Sequence, residues 1–161
     1  VGPIARIWVA FAALGAGLIH IALALGAPLP LGVPLAIVGL VEFGWGVMTF
    51  ARDRAPFVRT VILVAVVPVI AWGLLLVTVG PPLPFVPMGI AALLELLLAA
   101  LLAIGSRRAS EHPRSVPGTR RYIVGFAAAG LVVGVLTSVA LGAAQAGPGP
   151  APSILPSHDS H

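Results

Sequence analysis

This 161-residue chain has no cysteine, no lysine and no asparagine, and its only glutamine is Gln145. The lack of cysteine excludes thiolate metal sites, iron–sulfur clusters, thioether-attached haem and disulfide cross-links together. Charge is the second scarcity. Only 9% of the residues are charged, where a soluble globular domain carries roughly 25%. Hydrophobic residues make up 59% and the mean hydropathy is +1.10, so the composition is that of a membrane protein. Residues with AT-rich codons are missing while Ala, Gly, Pro, Val and Leu abound. That pattern points to a high-GC bacterium and to its plasma membrane.

Catalytic equipment is scarce as well. No G-x-S-x-G elbow, H-E-x-x-H pair, phosphate-cradling loop or dinucleotide fingerprint is present. Of five acidic residues, Asp53, Glu111 and Asp159 fall outside the apolar runs. A non-enzymatic protein is expected. The pI near 11.5 does not indicate nucleic acid, because the arginines flank apolar segments: Arg6, then Arg52, Arg54 and Arg59, then Arg107, Arg108, Arg114, Arg120 and Arg121. They read as topology signals.

Bilayer hydrocarbon is ~30 Å thick and takes ~20 apolar helical residues to cross. Five runs qualify, at about 6–26, 33–51, 60–80, 87–105 and 121–145. The fold class is therefore all-α, with a five-helix transmembrane domain over 1–145 and a Pro/Gly/Ala-rich tail over 146–161. Connectors alternate between short Pro-rich turns ("APLPLG", "PPLPF") and Arg-rich loops ("RDRAPFVR", "SRRASEHPRSVPGTRR"). Positive residues stay cytoplasmic, which places the N-terminus and both Arg-rich loops inside and the tail outside. The "ALA" at 22–24 resembles a signal-peptide cleavage site. The repeat described next needs this first span as a partner, so it is expected to be retained.

Pro34 and Glu42 are eight apart, as are Pro87 and Glu95, and "PLP" occurs at 28–30 and again at 82–84. Spans 1–2 and 3–4 read as two tandem hairpins in the same orientation, with span 5 appended. Under the "PLP" alignment His20 has Leu74 as its counterpart. Pro34 reads as a first-turn proline, and Pro68 as a kink in span 3 that frees a carbonyl.

Membrane helices associate through small residues. Ala13, Ala16, Gly17, His20 and Ala24 share one face of span 1; Gly39, Glu42, Gly46 and Thr49 share one of span 2; Ala92, Glu95 and Ala99 share one of span 4. Span 5 carries a small stripe of Gly130, Gly134, Ser138 and Gly142, expected to pack on a helix of this chain or of a partner. At ~1.5 Å per residue, each Glu lies roughly 12–14 Å below the outer surface and His20 about 9 Å, so all three are close in depth.

A charge at a helix centre is unfavourable by roughly 2.5–3.5 kcal/mol even on lenient scales, which makes His20, Glu42 and Glu95 the candidate polar or partner-contact residues. Interhelical hydrogen bonding, proton or cation handling, and contact with a cofactor or partner subunit all remain open to them. A haem held by this chain alone would need a second axial ligand, and there is no second intramembrane His. In the tail, His158 and His161 with Asp159 form a weak Cu or Zn motif. His112 reads as a solvated loop residue.

The stretch "GAGLIHIALALGAPLPLGVPLAIVGLVEFGWGV" resembles a family of small polytopic membrane proteins of actinobacteria. Its features are a G-x-x-H-[IL]-A-L-A first helix, a polar residue in the second and a His-bearing C-terminal tail. Here these match Gly17 with His20–Ala24, Glu42, and His158 with His161. The resemblance implies a fold and no activity. The family pattern often has another His just after the first helix, where this chain has "GAPLPLG". The expected function is a non-catalytic accessory subunit of a larger membrane complex, with a respiratory cytochrome assembly as host and other membrane subunits and lipids as partners. The alternative is a small transporter or copper-handling protein using the intramembrane His and Glu and the tail histidines.

Overall fold

A computed structural model of the chain describes residues 2–52, 55–78, 84–108 and 118–146. It contains five α-helices: α1 (Pro3–Gly26), α2 (Leu29–Ala51), α3 (Val58–Thr78), α4 (Phe85–Arg108) and α5 (Thr119–Ala146). All five are long and apolar enough to cross a membrane, and no strand occurs among the described residues. The tail from residue 147 onward, with His158 and His161, lies outside the described residues, as does His112.

The helices run up and down. On α1 and α2, Gly17 lies against Gly39 and Gly46 against Ala10, an antiparallel register. On α1 and α5, Ile4 meets Gly125 and Gly15 meets Val133 and Thr137, a parallel one. This alternation brings the described arginines Arg6, Arg52, Arg59, Arg107, Arg120 and Arg121 to one end of the bundle. Pro28 and Pro84, next to the starts of α2 and α4, lie at the other.

α1 is the hub. It packs against α2, α4 and α5, while α4 also packs on α3 and α5. Its sequence explains the position, since Ala10, Ala12, Ala13, Gly15, Ala16 and Gly17 are all buried and small side chains admit neighbours on several sides at once. The closest approach is reciprocal: a Cβ on Gly17 would fall 2.7 Å from the Gly39 carbonyl oxygen, and one on Gly39 2.7 Å from that of Gly17. Near the Arg-rich end, Phe11, Phe50 and Phe126 join α1, α2 and α5 through edge-to-face rings with centroids 5.1, 5.2 and 6.2 Å apart.

Two expectations change: the start of α2, with the place of Pro34 in it, and, of the two partners open to the α5 stripe, the helix of this chain. α2 begins at Leu29, four residues before the expected 33. Pro28 is the extended N-cap, and its carbonyl accepts the N–H of Leu31 at 2.9 Å and of Gly32 at 2.8 Å. Pro34 therefore lies inside the helix and is not a first-turn residue. The stripe on α5 does not face the bundle. Ala129, Val133, Thr137 and Ala140 are the buried residues, whereas Gly134, Ser138 and Gly142 are exposed and only Gly130 touches a neighbour, Phe11. The reason is that α1 supplies the small residue at this contact. Gly15 leaves room for the branched Val133 and Thr137, so α5 presents knobs where α1 presents a hole. α3 continues as a helix on both sides of Pro68, whose missing N–H leaves the Val64 carbonyl without its usual partner.

Candidate functional site

His20, Glu42 and Glu95 come from three helices and meet inside the bundle. Their exposures are 1%, 8% and 2%, so the cluster is shielded from the surroundings. One oxygen or nitrogen from each residue lies within 4.8 Å of the others. Helix geometry brings them together. Side chains lean toward the N-terminus of their own helix, and α1 runs antiparallel to α2 and α4. His20 therefore leans toward the Arg-rich end, and the two glutamates lean toward the Pro-rich end. The Gly17–Gly39 contact holds α1 and α2 close enough for these side chains to meet.

His20 Nδ1 and Glu42 Oε2 are 2.8 Å apart, a charge-assisted hydrogen bond in length. With Nδ1–H donating to the carboxylate, the other ring nitrogen presents its lone pair. That Nε2 lies 3.9 Å from Glu95 Oε1, beyond hydrogen-bonding distance. Glu42 Oε1 and Glu95 Oε1 are both buried and without a hydrogen-bond partner among the described residues. Buried polar atoms are nearly always satisfied; Thr49 Oγ1, Trp72 Nε1 and Thr137 Oγ1 lack partners as well, and the two carboxylate oxygens differ from them in belonging to one cluster.

A cleft of about 250 Å³ reaches Glu42 from between α2 and α3. Val41, Glu42 and Trp45 form its α2 wall, and Thr60, Val61 and Val64 its α3 wall. At its mouth, Trp45 Nε1–H donates to the Pro56 carbonyl at 3.0 Å. Phe57, which also lines the cleft, sits in the turn at φ 53°, a region that a bulky residue rarely adopts.

The remaining candidate residues are more dispersed. Of the small stripe, Gly130 lies under the Phe11 ring, and the rest faces outward. Sequence reasoning missed Trp45, Thr60 and Gly15. Trp45 carried a readable signal, since it follows Glu42 by three residues and so shares its face. Gly15 was hidden among neighbouring Ala and Gly residues.

The arrangement can hold a cation. It offers one imidazole nitrogen and two carboxylates in a low-dielectric interior, with partial access along one cleft. No protein-family model, no curated protein and no solved structure matches the chain.

Proposed function

We propose that this is a small multi-pass protein of the bacterial plasma membrane that binds a cation at His20, Glu42 and Glu95 and carries it through the bundle. It is a transporter and not an enzyme. The observation that supports this reading is the pair of unpartnered carboxylate oxygens, Glu42 Oε1 and Glu95 Oε1, converging with His20 from three helices. A cluster serving only to tie helices together would be expected to satisfy its own donors and acceptors. The cleft at Glu42 supplies a route to the site. The clustering of arginines at one end favours that end as cytoplasmic.

The test is cation flux into liposomes containing the purified full chain, measured over a panel of monovalent and divalent ions. Flux of at least one ion, lost in the Glu42→Gln and Glu95→Gln variants, is the expected result. Flux unchanged by both substitutions, or absent for every ion, overturns the reading.

A second reading is an accessory subunit of a larger complex such as a respiratory cytochrome assembly. It draws on the outward small stripe Gly134, Ser138 and Gly142, which is suited to close approach by a helix of another protein. Purification in mild detergent with mass spectrometry of what accompanies the chain tests it. A lone chain with no stoichiometric partner retires it.

A further inference from the structure

The site has a chemistry specific enough to name the class of ion, an inference that rests on the cation-binding reading above. We propose that the His20–Glu42–Glu95 cluster binds a divalent first-row transition-metal ion of the Mn²⁺, Fe²⁺, Co²⁺ or Zn²⁺ class. His20 Nε2 and Glu95 Oε1 are its protein ligands, and Glu42 is the carboxylate that orients His20.

Distance comes first. Metal bonds from imidazole nitrogen and carboxylate oxygen are ~2.0–2.2 Å long, so two of them reach across at most ~4.2 Å. The 3.9 Å between His20 Nε2 and Glu95 Oε1 is too long for a hydrogen bond and within reach of one bridging ion with a bent N–metal–O angle. One donor atom from each of the three residues lies within 4.8 Å of the others, so the Glu42 carboxylate is close enough to balance the charge of the ion without ligating it.

Orientation is the second argument. A metal-ligating histidine commonly donates its other ring N–H to a carboxylate, which fixes the tautomer and the ring plane. Glu42 Oε2 takes that part at 2.8 Å from Nδ1, leaving Oε1 of the same carboxylate unpartnered. Glu42 thus orients His20 from the side of the ring opposite the ion, and its charge lies within the same cluster.

Charge selects the valence. Metal binding displaces protons from its ligands, and with both carboxylates ionised beside a neutral imidazole the cluster carries two negative charges, which a divalent ion cancels and a monovalent ion leaves half-balanced. Net charge in a low-dielectric interior is strongly unfavourable. Donor type then narrows the class. A nitrogen ligand disfavours Mg²⁺ and Ca²⁺, which take oxygen. The chain has no cysteine, so the thiolate ligands that favour Cu(I) are missing.

The experiment uses the full-length protein carrying His158→Ala and His161→Ala, which removes the tail imidazoles as competing chelators and leaves the bundle untouched. The protein is stripped with chelator and titrated with Co²⁺ and Zn²⁺. Stoichiometry is read by elemental analysis and coordination by the visible Co²⁺ spectrum. One ion per chain with a nitrogen–oxygen Co²⁺ spectrum is expected. Glu95→Gln should weaken binding by about 100-fold or more and Glu42→Gln by about 10–100-fold, the range that metal-site support residues command. Gln is close to isosteric with Glu, and matching thermal midpoints for these variants show that the fold persists. Absence of stoichiometric metal, or uptake unchanged in Glu95→Gln, overturns the assignment. If divalent ions fail while a monovalent ion is still carried in a Glu95-dependent way, the metal assignment falls and the cation-binding reading stands. If neither binding nor flux is found, both fall.

Discussion

The two hairpins of this protein carry the same spacing of proline and glutamate and are used in opposite ways. In the first, α1 is the hub, with 56% of its apolar window buried, and in the second α3 lies at the edge, with 6% buried. Under the "PLP" alignment, Ala13, Ala16 and His20 of α1 correspond to Val67, Ile70 and Leu74 of α3. The former are buried and the latter are 62%, 64% and 63% exposed. The face that packs in one copy is therefore directed to the outside in the other, and the change tracks side-chain size. Small residues let a backbone approach, whereas large branched ones in the second copy suit contact with lipid. The second members, α2 and α4, both keep their glutamate turned inward. The shared spacing thus sets one inward carboxylate in each hairpin, and the difference between the first members leaves a single histidine between them.

The largest effect expected from this contrast concerns aromatic clamps. Phe11 meets two rings, Phe50 and Phe126, and lies against Gly130. Among the described residues, Phe85 in the second hairpin meets one ring, Trp72, at 6.3 Å. Phe11→Ala should lower stability in detergent unfolding by about 3 kcal/mol, and Phe85→Ala by about 1 kcal/mol. Equal losses would show that the second hairpin is held as firmly as the first.

Glycine substitution tests the same contrast with opposite signs. An alanine at Gly39 puts Cβ 2.7 Å from the Gly17 carbonyl oxygen and 2.9 Å from the Ile21 nitrogen. Backbone must move, and overpacking of this kind costs about 1–3 kcal/mol. At Gly73 in α3 a Cβ meets nothing within 4 Å. Gly73→Ala should then stabilise slightly, by up to about 1 kcal/mol, through helix propensity alone. Thermal midpoints of the two variants should move in opposite directions.

The architecture was legible because a bilayer dictates span length. The five runs and the Arg-rich and Pro-rich ends follow from hydropathy and loop composition, with helix ends shifted by a few residues. The inward face of α2 was also legible, since Gly39, Glu42, Gly46 and Thr49 share one side and all are buried. The face of α5 was not. Its glycines are conspicuous, but a close contact needs a small residue on only one of the two helices, and Gly15 of α1 already provides it. For the site, shared depth could be read from residue counts. Lateral convergence could not, because it depends on which helix becomes the hub. α3 and α1 are both apolar enough to serve, and only the packing of Ala and Gly along α1 decides between them.

Smaller effects are expected where the hairpins differ by one polar contact. His20→Leu removes the hydrogen bond to Glu42 and leaves both carboxylates without their shared neighbour. Interhelical hydrogen bonds in membranes average roughly 0.6 kcal/mol and reach about 1.7, so a loss of about 1 kcal/mol is expected. Leu74→Ala, at the corresponding position of the second copy, should change the unfolding midpoint far less. A larger loss at Leu74 than at His20 would contradict the assignment of inner and outer faces.

The smallest effect on stability should come from α5, and it sharpens the rule behind the comparison. If small residues matter only where another helix opposes them, Gly134, which has nothing within 4 Å, should accept leucine with a change within about 0.5 kcal/mol. Gly130, beneath Phe11, should not. Complex formation supplies a second readout of the same substitution. A partner helix seated on Gly134, Ser138 and Gly142 would be displaced by the new side chain, so the chain would lose a co-purifying partner while its own unfolding midpoint stayed in place. Retention of such a partner by Gly134→Leu would move the contact elsewhere. The exposed flank of α3 around Val67, Ile70 and Leu74 would then be the face to substitute next, because only 6% of the apolar window of α3 is buried.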